Sequence, residues 1–346
     1  MLHTQLIIVT YNHIHYLPSL FDSLQQIQHD NYRVLVIDNG SSDGTQDYLL
    51  TQTNFAEIIL NQENTGFCGA NNQGMERAFN NGADVCVLLN PDTVVTSYFL
   101  KYLEESYLSQ RNSGVKIGLL QPVILLKQQP NRINTDGNAI HYLGFGWCKN
   151  NRVLKPDYKN DFTITGVSGA CLYVSKPYYK AIGAFNESFF AYSEDQDLSW
   201  RGLLQNYKHV CSHEAIIYHD YSFSKSNTKW YHVEKNRLIL LFQNYSVRTL
   251  LLLSLPLISL ELAILAYAVL KGFFLEKWKG YQFIWKNWTV IKTNRKHIEV
   301  TRLVTDRDLW PQLDKAFNFS EIQHPLLTWL INPLLRLYAG LIYRVL

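Results

Sequence analysis

Cysteine is scarce and unpaired in this sequence. Cys68, Cys86, Cys148, Cys171 and Cys211 are odd in number and widely separated. No C-x-x-C pair and no Cys/His cluster occurs, which excludes a disulfide framework and a zinc site of ordinary spacing. A reducing, cytosolic setting is the simplest reading. Charge is also sparse, at 18% against 47% hydrophobic residues, which excludes a disordered chain and fits a folded protein with some affinity for membranes. No leader peptide is visible: Met1 to Thr10 runs straight into an apolar strand, so the chain is expected to face the cytoplasm. The first strand lacks a Gly-rich, basic phosphate loop after it. Thr10-Tyr11-Asn12-His13 stands there with neither Gly nor Lys, which argues against a nucleotidyltransferase. No internal repeat and no low-complexity segment is present.

What charge there is divides unevenly. Residues 1–221 hold 15 Lys/Arg against 21 Asp/Glu, whereas residues 222–346 hold 17 against 8. The basic half is also rich in Leu and Trp, so an anionic membrane surface is an expected partner. Nucleic acid is not expected, because the basic residues alternate with long apolar runs and not with small polar residues.

The first 90 residues alternate short apolar runs (Leu6–Thr10, Arg33–Ile37, Glu57–Leu60, Val85–Leu89) with helical patterns near 17–28, 45–50 and 70–81. This βαβα order predicts an α/β fold with a mostly parallel, Rossmann-like sheet and helices on both faces. Ligands in such sheets lie beyond the carboxyl ends of the strands. From about 110 to 165 the pattern loosens into what reads as long loops and irregular strands, a candidate acceptor side. Regular structure returns at 165–175, with a helix near 194–205, a strand near 213–218 and a helix near 230–243. A catalytic domain over 1–245 and a basic, apolar helical region over 246–346 are expected. Within the latter, Thr249–Leu270 carries one charge, Glu261, and is long enough to span a bilayer. Pro256 interrupts it and both flanks are basic, so an interfacial or re-entrant helical pair fits better than a single crossing. An ordinary buried helix is the competing reading.

Three acidic groups follow strand-like runs. Asp38 ends the second run and precedes a Gly/Ser turn, where a carboxylate can read a base or ribose; Asp43 in that turn could equally be a helix cap. Asp92, in Leu89-Asn90-Pro91-Asp92, could hold Mg²⁺ or Mn²⁺ against a diphosphate, although Asn-Pro-Asp alone is a common turn. Glu194, Asp195 and Asp197 crowd the start of a helix, more carboxylates than capping needs, and one could deprotonate a hydroxyl. His219 follows a further strand as a candidate metal or phosphate ligand.

In order along the chain, these motifs resemble the family 2 glycosyltransferases, and within them the bacterial rhamnosyltransferase-like branch. The segments are Val9–Asn12, Asp38–Thr45, Asn64–Gly74, Leu89–Asp92, Gly169–Leu172, Glu194–Arg201 and His219, spanning roughly residues 5–245. The resemblance implies a GT-A fold, a nucleotide-diphospho-sugar donor and inversion at the anomeric carbon. It places Thr10, Tyr11, Asn12, Asp38, Asn64, Gly66, Asn71, Asn90 and Asp92 on the donor side. Asp92 and His219 would hold the divalent cation, Mg²⁺ or Mn²⁺, with Asn90 standing where the family's D-x-D has its first Asp. Asp195 matches the family's base, with Glu194 as the fallback. Gly169, Ala170, Trp200 and Arg201 fall on the acceptor side. The Asn64–Gly74 loop is the feature that points toward a deoxysugar donor such as dTDP-L-rhamnose, with a glycan or lipid-linked glycan as acceptor. A non-catalytic sugar-nucleotide-binding scaffold is the alternative from another class. A processive synthase is not favoured, because the Gln/Arg-x-x-Arg-Trp motif and multiple spanning segments are missing.

Overall fold

A computed structural model of the chain describes residues 1–221, 227–319 and 324–346. The described residues form two compact units. The first holds Met1–Asn138, Cys148–Gly202 and the described part of Tyr207–Ser222. The second gathers Ala139–Trp147, Leu203–Asn206 and the described part of Phe223–Leu346. The division read from sequence at 245 is thus drawn earlier, before the helix Asn227–Asn244, and two short insertions of the first segment join the second unit.

The strands in chain order are β1 (Thr4–Thr10), β2 (Tyr32–Asp38), β3 (Glu57–Leu60), β4 (Val85–Leu89), β5 (Thr93–Val95), β6 (Ile117–Leu126), β7 (Gln129–Thr135), β8 (Asn138–Ile140), β9 (Gly146–Cys148), β10 (Phe162–Ile164), β11 (Cys171–Ser175) and β12 (Lys208–His219). The first unit is built on one sheet of order β10-β12-β6-β11-β4-β1-β2-β3. β3, β2, β1 and β4 run parallel, as do β6 and β12, while β11 runs antiparallel between β4 and β6. β5 pairs antiparallel with β12, and β7 with β6. Leu6, Ile7 and Ile8 of β1 are all fully buried, as expected of a parallel strand covered on both faces. The helices α1 (Leu17–Leu24), α2 (Thr45–Leu50), α3 (Gly66–Asn80), α4 (Phe99–Asn112), α5 (Lys176–Ile182) and α6 (Glu194–Leu204) complete the alternation. At Gly74 a Cβ would stand 2.7 Å from Ile7 Cγ2, so only glycine lets α3 lie this close to the sheet.

The stretch 110–165, expected to be long loops and irregular strands, contains β6, ten residues buried throughout. Pro122 hides it, since proline argues against a central strand. The structure accommodates it at an irregularity: Pro122 pairs with Ser212, Val123 pairs with Ile216, and residues 213–215 of β12 bulge away between them.

The second unit is helical: α7 (Asn227–Asn244), α8 (Val247–Leu252), α9 (Ser254–Lys271), α10 (Phe274–Lys286), α11 (Trp288–Thr301), α12 (Asp306–Leu309) and α13 (Asn332–Val345). The run 249–270 is broken at Leu253, two helices in place of one, with Pro256 in the first turn of α9 where its missing N–H is tolerated. The one charge of that run, Glu261, turns inward. It pairs with Arg237 and with Lys277, the latter at 2.8 Å, and accepts the Tyr281 hydroxyl at 2.6 Å. Glu234 joins the same cluster, 2.6 Å from Lys277. The opposite face is left apolar, with Leu251, Leu255, Ile258 and Leu262 at 60–69% exposure. On α13, Leu334, Leu337, Leu341 and Val345 make a second exposed stripe at helical spacing. The Tyr338 hydroxyl donates to the Leu252 carbonyl at 2.7 Å and fastens α13 beside α8.

Candidate active site

Thr10 and Asp38 are register partners at the carboxyl ends of β1 and β2, where open parallel sheets take ligands. Asp38 is fully buried. Its Oδ2 accepts the backbone N–H groups of Gly40 and Ser41 at 3.2 and 3.0 Å and the Gln46 amide at 2.7 Å. Its Oδ1 has no partner among the described residues, and neither has the buried Thr10 hydroxyl. Buried polar atoms in this state cost free energy until a donor or acceptor arrives. Tyr11 stands beside them at 43% exposure. Asn12 is left-handed (φ 55°), a conformation asparagine tolerates. Its N–H donates to Ser41 Oγ and its Oδ1 accepts from Ser42 N–H, both at 2.8 Å, so the first two strand ends are clipped together. Asp43 accepts from Thr45 and from Ile14 N–H, while the N-cap position of α2 falls on Gly44.

The Asn64–Gly74 segment, read from sequence as a loop, is mostly the first turns of α3, and its start is fixed by Asn39, a residue to which the sequence reading gave no role. The Asn39 amide donates to Asn64 Oδ1 and the Gly66 carbonyl at 2.9 and 3.1 Å, and its oxygen accepts from Thr65. Asn64 Oδ1 also accepts Gly66 N–H, which makes this oxygen a brace of the loop and not a donor contact. Gly66 (φ 79°) cannot carry a side chain, because a Cβ would lie 2.6 Å from the Phe190 carbonyl oxygen. Asn71, expected on the donor side, is buried at 2% exposure and its amide donates to the Phe67 carbonyl within α3.

Asp92 and His219 do come together. Thr93 of β5 pairs with His219 of β12, and Asp220 N–H donates to the Asp92 carbonyl at 2.9 Å. This sets His219 Nε2 3.3 Å from Asp92 Oδ1, without the alignment of a hydrogen bond. On the other side of the ring, His219 Nδ1 lies 2.8 Å from Asn134 Oδ1. Burial pushes the Asp92 carboxyl up, but His219 and His13 outweigh it and hold the group below its ordinary value. His13, another residue given no role from sequence, has a buried Nδ1 without a partner among the described residues. Among these residues no cluster of three or more His, Cys, Asp or Glu could hold a metal ion. The orphaned Asp92 oxygen facing an imidazole nitrogen nevertheless fits a divalent cation that takes its remaining ligands from a diphosphate and water.

A short chain of contacts leads from there to Asp195. Asn90 N–H donates to the Ala170 carbonyl at 3.0 Å, and the adjacent Gly169 N–H donates to Asp195 Oδ2 at 2.9 Å. Asn138 adds a 3.4 Å contact to the same oxygen. Phe190, Tyr192 and Ser193 all have positive φ immediately before α6, strain of the kind that gathers at working sites. Asp195 is half-buried and keeps access to solvent. Glu194, at 7% exposure, does not, and its Oε2 is buried without a partner. Burial and then the neighbouring Asp195 charge push the Glu194 carboxyl up, and burial raises the Asp195 carboxyl as well. Gly169 touches both acids: a Cβ there would meet Glu194 Oε1 at 3.6 Å and Asp195 Oδ2 at 3.7 Å. Trp200 and Arg201 are corrected as acceptor-side residues. Trp200 is fully buried, and Arg201 pairs with Asp197 at 2.8 Å and caps the carbonyls of Ile182 and Ala184.

The first unit is thus a mixed α/β fold with a mostly parallel sheet and acidic groups gathered at the carboxyl ends of its strands. Residues 5–157 match the family model described as Glycosyl transferase family 2. The match covers less than half of the chain. Among solved structures, GalNAc-T7 with UDP, GalNAc and Mn²⁺ is similar at 14% identity and a TM-score of 0.56, over 72% of this chain. The chain spans about half of that protein, 49% of its length. S. aureus TarS 1-349 in complex with UDP matches at 18% identity and TM-score 0.46, over 70% of this chain and 65% of its own. The mannosyltransferase PcManGT from Pyrobaculum calidifontis, in complex with GDP-Man and Mn²⁺, matches at 14% identity and TM-score 0.48, over 90% and 88%. No curated protein matches the sequence.

Proposed function

We propose that the chain is an inverting transferase that moves a single hexosyl unit from a nucleotide-diphosphate sugar to a hydroxyl of a glycan or lipid-linked glycan. The observation that carries this is the pair of buried carboxylate oxygens without a hydrogen-bond partner among the described residues, Asp38 Oδ1 and Asp92 Oδ1, at the carboxyl ends of β2 and β4, the two strands that flank β1. Asp38, with Thr10 and Tyr11, receives the nucleoside. Asp92 and His219 form the diphosphate end. A divalent cation bound there, Mg²⁺ or Mn²⁺, would neutralise the leaving diphosphate; GalNAc-T7, which shares the fold, was solved with UDP and Mn²⁺. Asp195 takes the acceptor's proton as that oxygen forms its bond to the anomeric carbon and the bond to the diphosphate breaks on the opposite face. The donor we favour is dTDP-L-rhamnose, in the synthesis of a cell-surface polysaccharide; this rests on the resemblance of the Asn64–Gly74 loop.

Thermal melting with a panel of nucleotides and nucleotide sugars, with Mg²⁺ or Mn²⁺ and with chelator, tests the donor site. A ligand at 100 times its dissociation constant should stabilise the fold by about 2.7 kcal/mol. A folded protein that no nucleotide stabilises would remove the donor site and leave the scaffold reading.

The same proposal places the enzyme on the cytoplasmic face of the membrane, peripheral or monotopic. Ser254–Lys271 is the one helix among the described residues that is long and apolar enough to cross a membrane. At 18 residues it measures about 27 Å, slightly short of the bilayer core of about 30 Å, and basic residues flank both ends. The chain should float with phosphatidylglycerol vesicles, less with phosphatidylcholine ones, and lose this when Leu255, Ile258 and Leu262 are changed to Ser. Undiminished flotation of that variant would remove the apolar face from the account.

A further inference from the structure

We propose that Asn134 is a positioning residue for the diphosphate end of the site, its carboxamide oxygen setting both the tautomer and the rotation of the His219 ring. The inference rests on the reading of Asp92 and His219 as a cation site. Asn134 belongs to β7 and His219 to β12, and these strands pair with opposite sides of β6. Ile133 stands opposite Leu125, and His219 opposite Leu126, so the two side chains meet over the end of β6 from strands about 10 Å apart. Asn134 is 1% exposed and its Oδ1 lies 2.8 Å from His219 Nδ1. With the carboxamide oxygen turned to the ring, the proposal puts the imidazole proton on Nδ1 and leaves Nε2 its lone pair.

That lone pair faces Asp92 Oδ1 at 3.3 Å, and the oxygen has no hydrogen-bond partner among the described residues. Two acceptors aimed at each other gain nothing from the contact by itself. Both gain if a cation lies between them, or if the ring takes a second proton. The Asn134 side chain is costly in any merely structural role, because its Nδ2 is buried with no partner among the described residues. The bond to His219 is the one side-chain hydrogen bond it makes among them. A ligating histidine whose other nitrogen is held by a neighbouring oxygen has its orientation and basicity set from outside the coordination shell.

The test uses the full chain and Mn²⁺ as the probe, alone and with UDP, read by the loss of the free-ion electron paramagnetic resonance signal. Asn134→Leu should weaken Mn²⁺ binding about 10–100-fold, whereas Asn134→Asp, which keeps an acceptor, should retain it. In parallel, the ¹⁵N spectrum of the His219 ring without metal should show the proton on Nδ1 in the wild type and in Asn134→Asp. A His219→Ala variant separates the two levels of the argument. If His219→Ala loses Mn²⁺ but Asn134→Leu binds as the wild type does, the positioning role is overturned and the cation site stands. If both variants bind normally, the cation site itself is overturned. Should Asn134→Leu fail to fold, the proton found on Nε2 in the wild type would overturn the inference by itself.

Discussion

Asp195→Asn is expected to lower kcat by about 10²–10⁴-fold, the usual contribution of a general base, with donor binding left intact. The substitution keeps the side chain's size. An Asn oxygen can still accept the Gly169 N–H at 2.9 Å, with the amide nitrogen then turned to the Gln196 N–H that Oδ1 accepts at 2.7 Å, but it cannot take a proton from a hydroxyl. Glu194 is badly placed to substitute: it is buried at 7% exposure, whereas Asp195 keeps access to solvent. Single-turnover measurement with saturating donor checks this, since it isolates the transfer step from donor binding and product release. Turnover near that of the wild type would remove Asp195 from the role of base.

Asp92→Ala should show the converse pattern. The variant loses the oxygen that faces His219 Nε2 at 3.3 Å, so donor affinity and metal dependence should fall together while Asp195 remains intact. In the melting assay, stabilisation by donor and Mn²⁺ of about 2.7 kcal/mol, or roughly 5–10 °C for a unit of this size, should shrink to what chelator leaves in the wild type. A shift that stays both full and metal-dependent in the variant would place the cation elsewhere.

The parallel half of the sheet was legible because its strands are short apolar runs with polar ends, and Asp38 lies on the last residue of one of them. Thr45–Leu50 and Glu194–Leu204 were legible as helices for a related reason, since turn residues precede both. What the pattern hid was the side of the sheet beyond β11. β6 is interrupted by Pro122, and its partner β12 takes up the disturbance by bulging, which no local rule reports. Side-chain direction was hidden as well. Asn71, Trp200 and Arg201 sit within recognisable motifs, but the motif spacing does not say which face of the helix turns inward. Asn39 and Asn134 escaped for another reason: a single buried amide announces itself only through partners that are 25 and 85 residues away.

The distribution of thiols in the first unit gives the enzyme a built-in reporter. Cys68 lies in α3, Cys86 in β4, Cys171 in β11 and Cys211 in β12, all buried and none bridged. Burial pushes the last three well away from the thiolate form, the form that alkylating agents and peroxide attack. Oxidants in the cell should therefore leave the catalytic sheet untouched as long as it is closed. Alkylation of these positions then proceeds only through local or global opening, so its rate, followed strand by strand, is a clock for how often each part of the sheet breathes.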